Sequence, residues 1–148
     1  MSEKAAGIVR ASWAGTVLFG VGAVAGIVAP GPLQWLGFAV SLALFVVGCV
    51  VFVWAFALAV TRSRTDEIVV SSLYLLAGAP VPVRVQLFGS LAVEVVVAFG
   101  TAAARPYTIA ATAILAPVYG LGLCGLWAAR YGTFPPRKPT PKRKPKRK

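Results

Sequence analysis

The sequence predicts an all-α integral membrane protein: a four-transmembrane-helix bundle with a short cytoplasmic-side interfacial helix and a disordered basic C-terminal tail. Three observations predict it. Hydrophobic residues make up 58% of the 148, and the mean hydropathy is +0.80. They fall in blocks that approach or exceed the roughly 20 residues a helix needs to cross the hydrocarbon of a bilayer. Eight of the fifteen Lys and Arg residues follow Phe134, so the formal charge of +11 is mainly a property of the end of the chain. A chain of this length holds one bundle and leaves no room for a separate soluble catalytic domain.

Cutting the chain at charges and prolines gives a cytoplasmic N-terminus (1–12), a four-span bundle (13–130) and a tail (131–148). The first span, about 13–29, stops at Pro30-Gly31-Pro32. A cleaved signal peptide is the disfavoured rival there, because the run is near full span length and no convincing A-x-A site precedes Pro30. The second span, about 33–60, stops at Thr61-Arg62-Ser63-Arg64 and is long enough to tilt.

The next apolar stretch, 68–79, is too short to cross. Thr65 is placed to cap a helix of about 66–78 with Asp66 and Glu67 in its first turn, and Gly78 and Pro80 are placed to end it. It is expected to lie in the interface or packed under the bundle, with a re-entrant segment as the rival. The third span is about 84–105. The fourth is about 107–129, with Pro106 suited to its first turn and Pro117 expected to free the Ala113 carbonyl and kink it. Lys4, Arg10, Arg62, Arg64, Arg84, Arg130 and the tail share one side of this layout and Arg105 alone takes the other, so both termini are expected to be cytoplasmic.

Glu94, in SLAVEVVVAF, is the only acid deep inside an apolar run. It lies ten residues from Arg84 and eleven from Arg105. At about 1.5 Å per residue that is about 15 Å from each, beyond comfortable snorkelling and near the midplane. Helical spacing puts Ser90, Glu94, Val97, Ala98 and Thr101 on one small, polar face, and Tyr119 is the depth-matched partner expected in the fourth span. A charged carboxylate at that depth costs at least about 2.5 kcal/mol, which favours a neutral, hydrogen-bonding acid. Three roles stay open. The acid ties the third span to the fourth, or it contacts another membrane protein or a second copy, or it is a proton-coupled transport site. Small multidrug transporters also have four spans and an intramembrane Glu, but theirs lies in the first span, which has no acid here.

The remaining spans read as packing surfaces. Thr108, Thr112, Ala116, Gly120, Cys124 and Ala128 recur every four residues in the fourth span, and Gly22 and Gly26 form a G-x-x-x-G in the first. Small residues so spaced let helices approach closely, and packing within the bundle is favoured over homodimerisation. Trp13, Trp35, Tyr107, Trp127 and Tyr131 fall near span boundaries, as interfacial anchors do. The chain has no His, and Cys49 and Cys124 each fall inside a span as small buried residues, so no metal, cofactor or catalytic residue is expected and the protein reads as a non-enzyme.

The tail, FPPRKPTPKRKPKRK, carries Arg137, Lys138, Lys142, Arg143, Lys144, Lys146, Arg147 and Lys148 among prolines that prevent regular helix. Beside an inner membrane surface each cation contributes about 1 kcal/mol toward anionic lipid head groups, the favoured partner. Nucleic acid is disfavoured, since no aromatic residue is interleaved with these charges. Thr140 is placed for a phosphorylation switch of that contact.

The stretch VYGLGLCGLWAARYGTFPPR, with AAARPYT before it, resembles the C-terminal half of small actinobacterial four-span membrane proteins, a group that includes a mycobacterial division-complex factor. The Ala/Val/Gly-rich composition and the Lys-Arg-Pro tail are similar too. That resemblance implies a multi-pass protein of the bacterial inner (plasma) membrane that works by association with other membrane proteins or as a homo-oligomer, in envelope growth or division. The expected function is therefore non-enzymatic association, and the alternative is a small proton-coupled transporter using Glu94.

Overall fold

The structure is a computed structural model and describes residues 2–29 and 31–137. Helix α1 (Glu3–Val28) starts well before the first predicted span, because the Ser2 hydroxyl accepts the Ala5 N–H at 3.3 Å and caps it. Helix α2 (Pro32–Arg62) follows Gly31, whose φ of +127° only glycine adopts without strain. Helix α3 (Val70–Tyr74) is a single turn and a half. Helix α4 (Val81–Ala104) opens with Pro80 as its cap and Pro82 in its first turn, where a missing N–H costs nothing. A 3-10 helix (Ile109–Leu115) and helix α5 (Val118–Tyr131) complete the chain.

The described residues are 79% helix with no strand among them, and four segments are long and apolar enough to cross a membrane: Glu3–Val28, Pro32–Arg62, Val81–Ala104 and Ile109–Tyr131. Their directions follow from their contacts. Ser12 meets Ser90, Thr16 meets Glu94 and Arg105 meets the Ile27 carbonyl, all at one constant offset, so α1 and α4 run parallel. Gly48 faces Tyr119 while Arg62 binds the Ala129 carbonyl, so α2 and α5 are parallel as well. Gly22 faces Gly37 and Gly26 faces Gln34, which makes α1 and α2 antiparallel. The four therefore alternate in direction, and Ser2 and Thr133 lie at the same end of the bundle.

Three local expectations change. The helix predicted over 66–78 shrinks to 70–74, and Thr65 does not cap it: its hydroxyl donates to the Arg62 carbonyl at 3.1 Å. Contacts distant in sequence divert this stretch. Arg62 pairs with Asp66 at 2.9 Å, Glu67 N–H donates to the Pro135 carbonyl, and Asp66 bridges to Pro136, so Thr65 ends a turn and 66–69 runs non-helical against the C-terminal segment. The short helix packs under the bundle. Leu73 and Leu76 are fully buried, and the Tyr74 ring stacks on Phe52 at 4.4 Å over Gly125, whose missing side chain makes room for it. Tyr74 donates to the Phe52 carbonyl at 3.1 Å, and burial pushes its phenol above its usual range. Leu76 takes a left-handed φ of +54°, and Arg84 holds it there by binding its carbonyl.

In the fourth span, Pro106 lies in a turn ahead of any helix, and the helix does not bend at Pro117 but stops and restarts. The Ala113 carbonyl is not freed either, since the tighter 3-10 winding delivers it the Ala116 N–H at 3.1 Å. Trp127, expected at the interface, is 3% exposed and belongs to the core with Leu87, Cys124 and Ala128.

Candidate functional site

Glu94 is fully buried where α1, α4 and α5 meet. Its face of α4 is the buried one: Val83, Leu87, Ser90, Glu94, Ala98 and Thr101 follow the three- and four-residue spacing of a packed stripe. The Thr16 hydroxyl on α1 is hydrogen-bonded to Glu94 Oε1 at 2.9 Å, and the Gly120 N–H on α5 donates to Oε2 at 3.2 Å. One turn away Ser12 and Ser90 share a hydrogen bond, so α1 and α4 are joined by two polar rungs.

The Thr16 hydroxyl has one proton and two acceptors, Glu94 Oε1 and the Ser12 carbonyl at 3.0 Å. A proton on Glu94 Oε1 serves both. The carboxyl then donates to Thr16, Thr16 donates to Ser12, and Oε2 is left to accept from Gly120.

The break at Pro117 explains why a carboxyl is needed at this depth. A continuous α-helix would give Gly120 N–H the Ala116 carbonyl. That oxygen is taken by Tyr119 N–H at 2.9 Å, and Leu121 N–H takes the Pro117 carbonyl. Gly120 is one of the first residues of α5, where amides lack partners within the helix and the dipole is positive. Glu94 acts as that helix's N-terminal cap, supplied from a neighbouring helix. Gly120 must be small for this, because a Cβ there would lie 2.6 Å from Glu94 Oε2.

The other predicted residues separate into those the fold gathers around Glu94 and those it does not. Ser90 stands one turn along α4 and binds Ser12. Thr101 is 3% exposed but donates to its own helix, to the Val97 carbonyl at 2.7 Å. Tyr119 is not the partner of Glu94: its hydroxyl passes across Gly15 to the Ala11 carbonyl at 2.9 Å. Ala116, at the end of the 3-10 helix, and Cys124, in α5, are fully buried in separate core clusters. Gly22 and Gly26 face α2 of the same chain, where a Cβ added at either would lie 3.6 Å from the α2 backbone, which is packing within the bundle. Arg137 binds the Ser63 carbonyl at 3.0 Å, while Lys138, Lys142, Arg143, Lys144, Lys146, Arg147, Lys148 and Thr140 lie outside the described residues.

Sequence reasoning missed Ser12, Thr16 and the Gly120 amide. A signal for the first two was present: Ser12 and Thr16 are four apart on the first span as Ser90 and Glu94 are on the third, so two polar pairs of equal spacing match in depth. It also missed the tightest crossing. A Cβ on Gly48 would lie 2.6 Å from Tyr119 N, and one on Gly122 2.8 Å from the Gly48 carbonyl oxygen, so α2 and α5 touch backbone to backbone.

The principal cavities are lined by residues other than Glu94. Among the described residues no three His, Cys, Asp or Glu side chains gather closely enough to hold a metal ion. No known protein family, no curated protein and no solved structure matches the chain.

Proposed function

We propose that this is a multi-pass protein of a bacterial inner membrane, with both termini cytoplasmic, that acts without catalysis by associating with other membrane proteins. The observation that carries the reading is the engagement of both Glu94 oxygens inside the bundle, by Thr16 and the Gly120 amide, with the side chain fully buried. An acid so used holds helices together and is closed to a solute. What remains for contact is the outer surface, above all α2, with Trp35, Leu36, Val46, Val50, Val53 and Trp54 exposed along it. A place in envelope growth or division rests on the resemblance of the C-terminal stretch to actinobacterial four-span proteins. The basic tail adds attraction to anionic lipid head groups at the cytoplasmic face.

Crosslinking and affinity capture from native membranes, paired with proton-driven flux measurements in vesicles, tests the reading against the transporter. Captured membrane-protein partners and no proton-dependent flux are expected, with Glu94→Gln indistinguishable from wild type. A proton-coupled flux that Glu94→Gln abolishes while the bundle stays assembled would overturn it.

A further inference from the structure

At the end of the bundle that carries both Ser2 and Thr133 lies a groove of about 810 Å³, lined mainly by apolar surface, with Ser2 and Ala5 of α1, Ala77 and Ala79 before α4, and Trp127 and Tyr131 of α5 in its walls. That volume falls in the range of about 300–1,000 Å³ typical of small-molecule sites. Two further features give the groove a sign. Helices α1 and α4 are parallel and both begin at it, so two positive dipole ends point the same way. The opposing negative end, the C-terminus of α5, is already countered by Arg62, which binds the Ala129 and Gly132 carbonyls. Arg84 adds a full charge at the wall, its guanidinium 3.2 Å from the Ala77 carbonyl oxygen and 3.4 Å from that of Ala79. Exposed Lys4 lies between Ser2 and Ala5 in the chain, next to Glu3.

The third observation is a donor without an acceptor. Trp127 forms part of the wall and is 3% exposed, and among the described residues its indole N–H has no hydrogen-bond partner. Buried polar groups are nearly always paired, so an unpaired one beside an open groove points to an acceptor brought from outside.

We propose that this groove binds one anionic phospholipid, an acyl chain along its apolar walls, the acyl ester accepting from the Trp127 indole, and the phosphate facing the starts of α1 and α4 with Arg84 and Lys4. The site rests on the membrane reading above, and it differs from the tail in being part of the folded bundle and in holding a single lipid.

The test is native mass spectrometry of the full chain released from bilayers of equal phosphatidylglycerol and phosphatidylcholine. The wild-type chain should retain one phosphatidylglycerol in preference to phosphatidylcholine by about fivefold or more, the factor that one favourable cation of about 1 kcal/mol provides. Ala77→Trp, which fills the groove from an exposed position, should remove the preference, and Trp127→Phe, which takes away a donor to the acyl ester that both lipids carry, should lower the retention of both. A chain with Gln in place of the six cations after Pro141 should keep it. Equal retention of the two lipids by the wild-type chain, an unchanged preference in Ala77→Trp, unchanged retention in Trp127→Phe, or loss of the preference in the tail variant would overturn the site. Failure of the wild-type chain to partition into the bilayers at all would instead overturn the membrane reading and the site with it.

Discussion

Glu94→Leu and Glu94→Gln separate the two things a buried carboxyl can do, and the structure sets their expected costs. Leucine fills a similar volume, so no cavity opens, but it leaves the Gly120 N–H without an acceptor at the start of α5. A buried amide so orphaned costs about 1–3 kcal/mol. The lost Thr16 contact adds little, since interhelical hydrogen bonds in membranes average about 0.6 kcal/mol and Thr16 keeps the Ser12 carbonyl. Glutamine is different. Its carbonyl accepts from Gly120, its amide donates to Thr16 Oγ1, and Thr16 still donates to Ser12, so every group stays paired and the change should stay under about 0.5 kcal/mol. Reversible unfolding of purified protein in mixed micelles, followed by the fluorescence of the four tryptophans, measures both differences. A leucine variant as stable as wild type, or a glutamine variant as weak as the leucine one, would refute the capping argument.

Other substitutions test other joints. Gly48→Ala should destabilise the bundle by about 1–3 kcal/mol, because its Cβ would meet α5 backbone that cannot move aside, whereas Gly22→Ala, with 3.6 Å of clearance, should be neutral or slightly stabilising in the same unfolding assay. Arg62→Ala removes the bonds to the Ala129 and Gly132 carbonyls and the pair with Asp66, so limited proteolysis should cut the segment 132–137 several-fold faster than in wild type. Single cysteines at Gly31 and Thr140 should react with an impermeant thiol reagent from opposite sides of the membrane, and same-side labelling would sink the four-span arrangement.

The parts of this fold that were legible in the sequence are those fixed by spacing within one segment. Arg84 and Arg105 bracket a span, the three- and four-residue spacing of Ser90, Glu94, Ala98 and Thr101 names its buried face, and prolines mark where α2 and α4 begin. What was hidden depends on groups far apart in the chain or on atoms that residue type does not announce. The partner of Glu94 is a backbone amide, which any residue carries. Tyr119 matched in depth, but a phenol reaches well beyond its own backbone, and Gly15 lets this one pass to Ala11. The stretch 65–69 reads as a helix start by its Thr, Asp and Glu, yet Arg62 and the segment ending at Arg137 compete for the same groups and win.

The break at Pro117 and the acid at Glu94 form one device, and that claim has its own test. Pro117 lacks an N–H and its ring cannot sit against the preceding turn of an α-helix, so the fourth span winds as a 3-10 helix before it and restarts after it. Replacing it with alanine restores the N–H and allows α5 to extend backward, giving Gly120 N–H the Ala116 carbonyl four residues before it. Glu94 then loses its reason for being buried. The prediction is a coupling: Glu94→Leu should cost at least about 1 kcal/mol less in a Pro117→Ala background than in the wild-type chain, within the range seen for residues that share a partner. If the two changes add without interaction, the carboxyl is not serving the helix start, and its role is to be sought in the Thr16 rung alone.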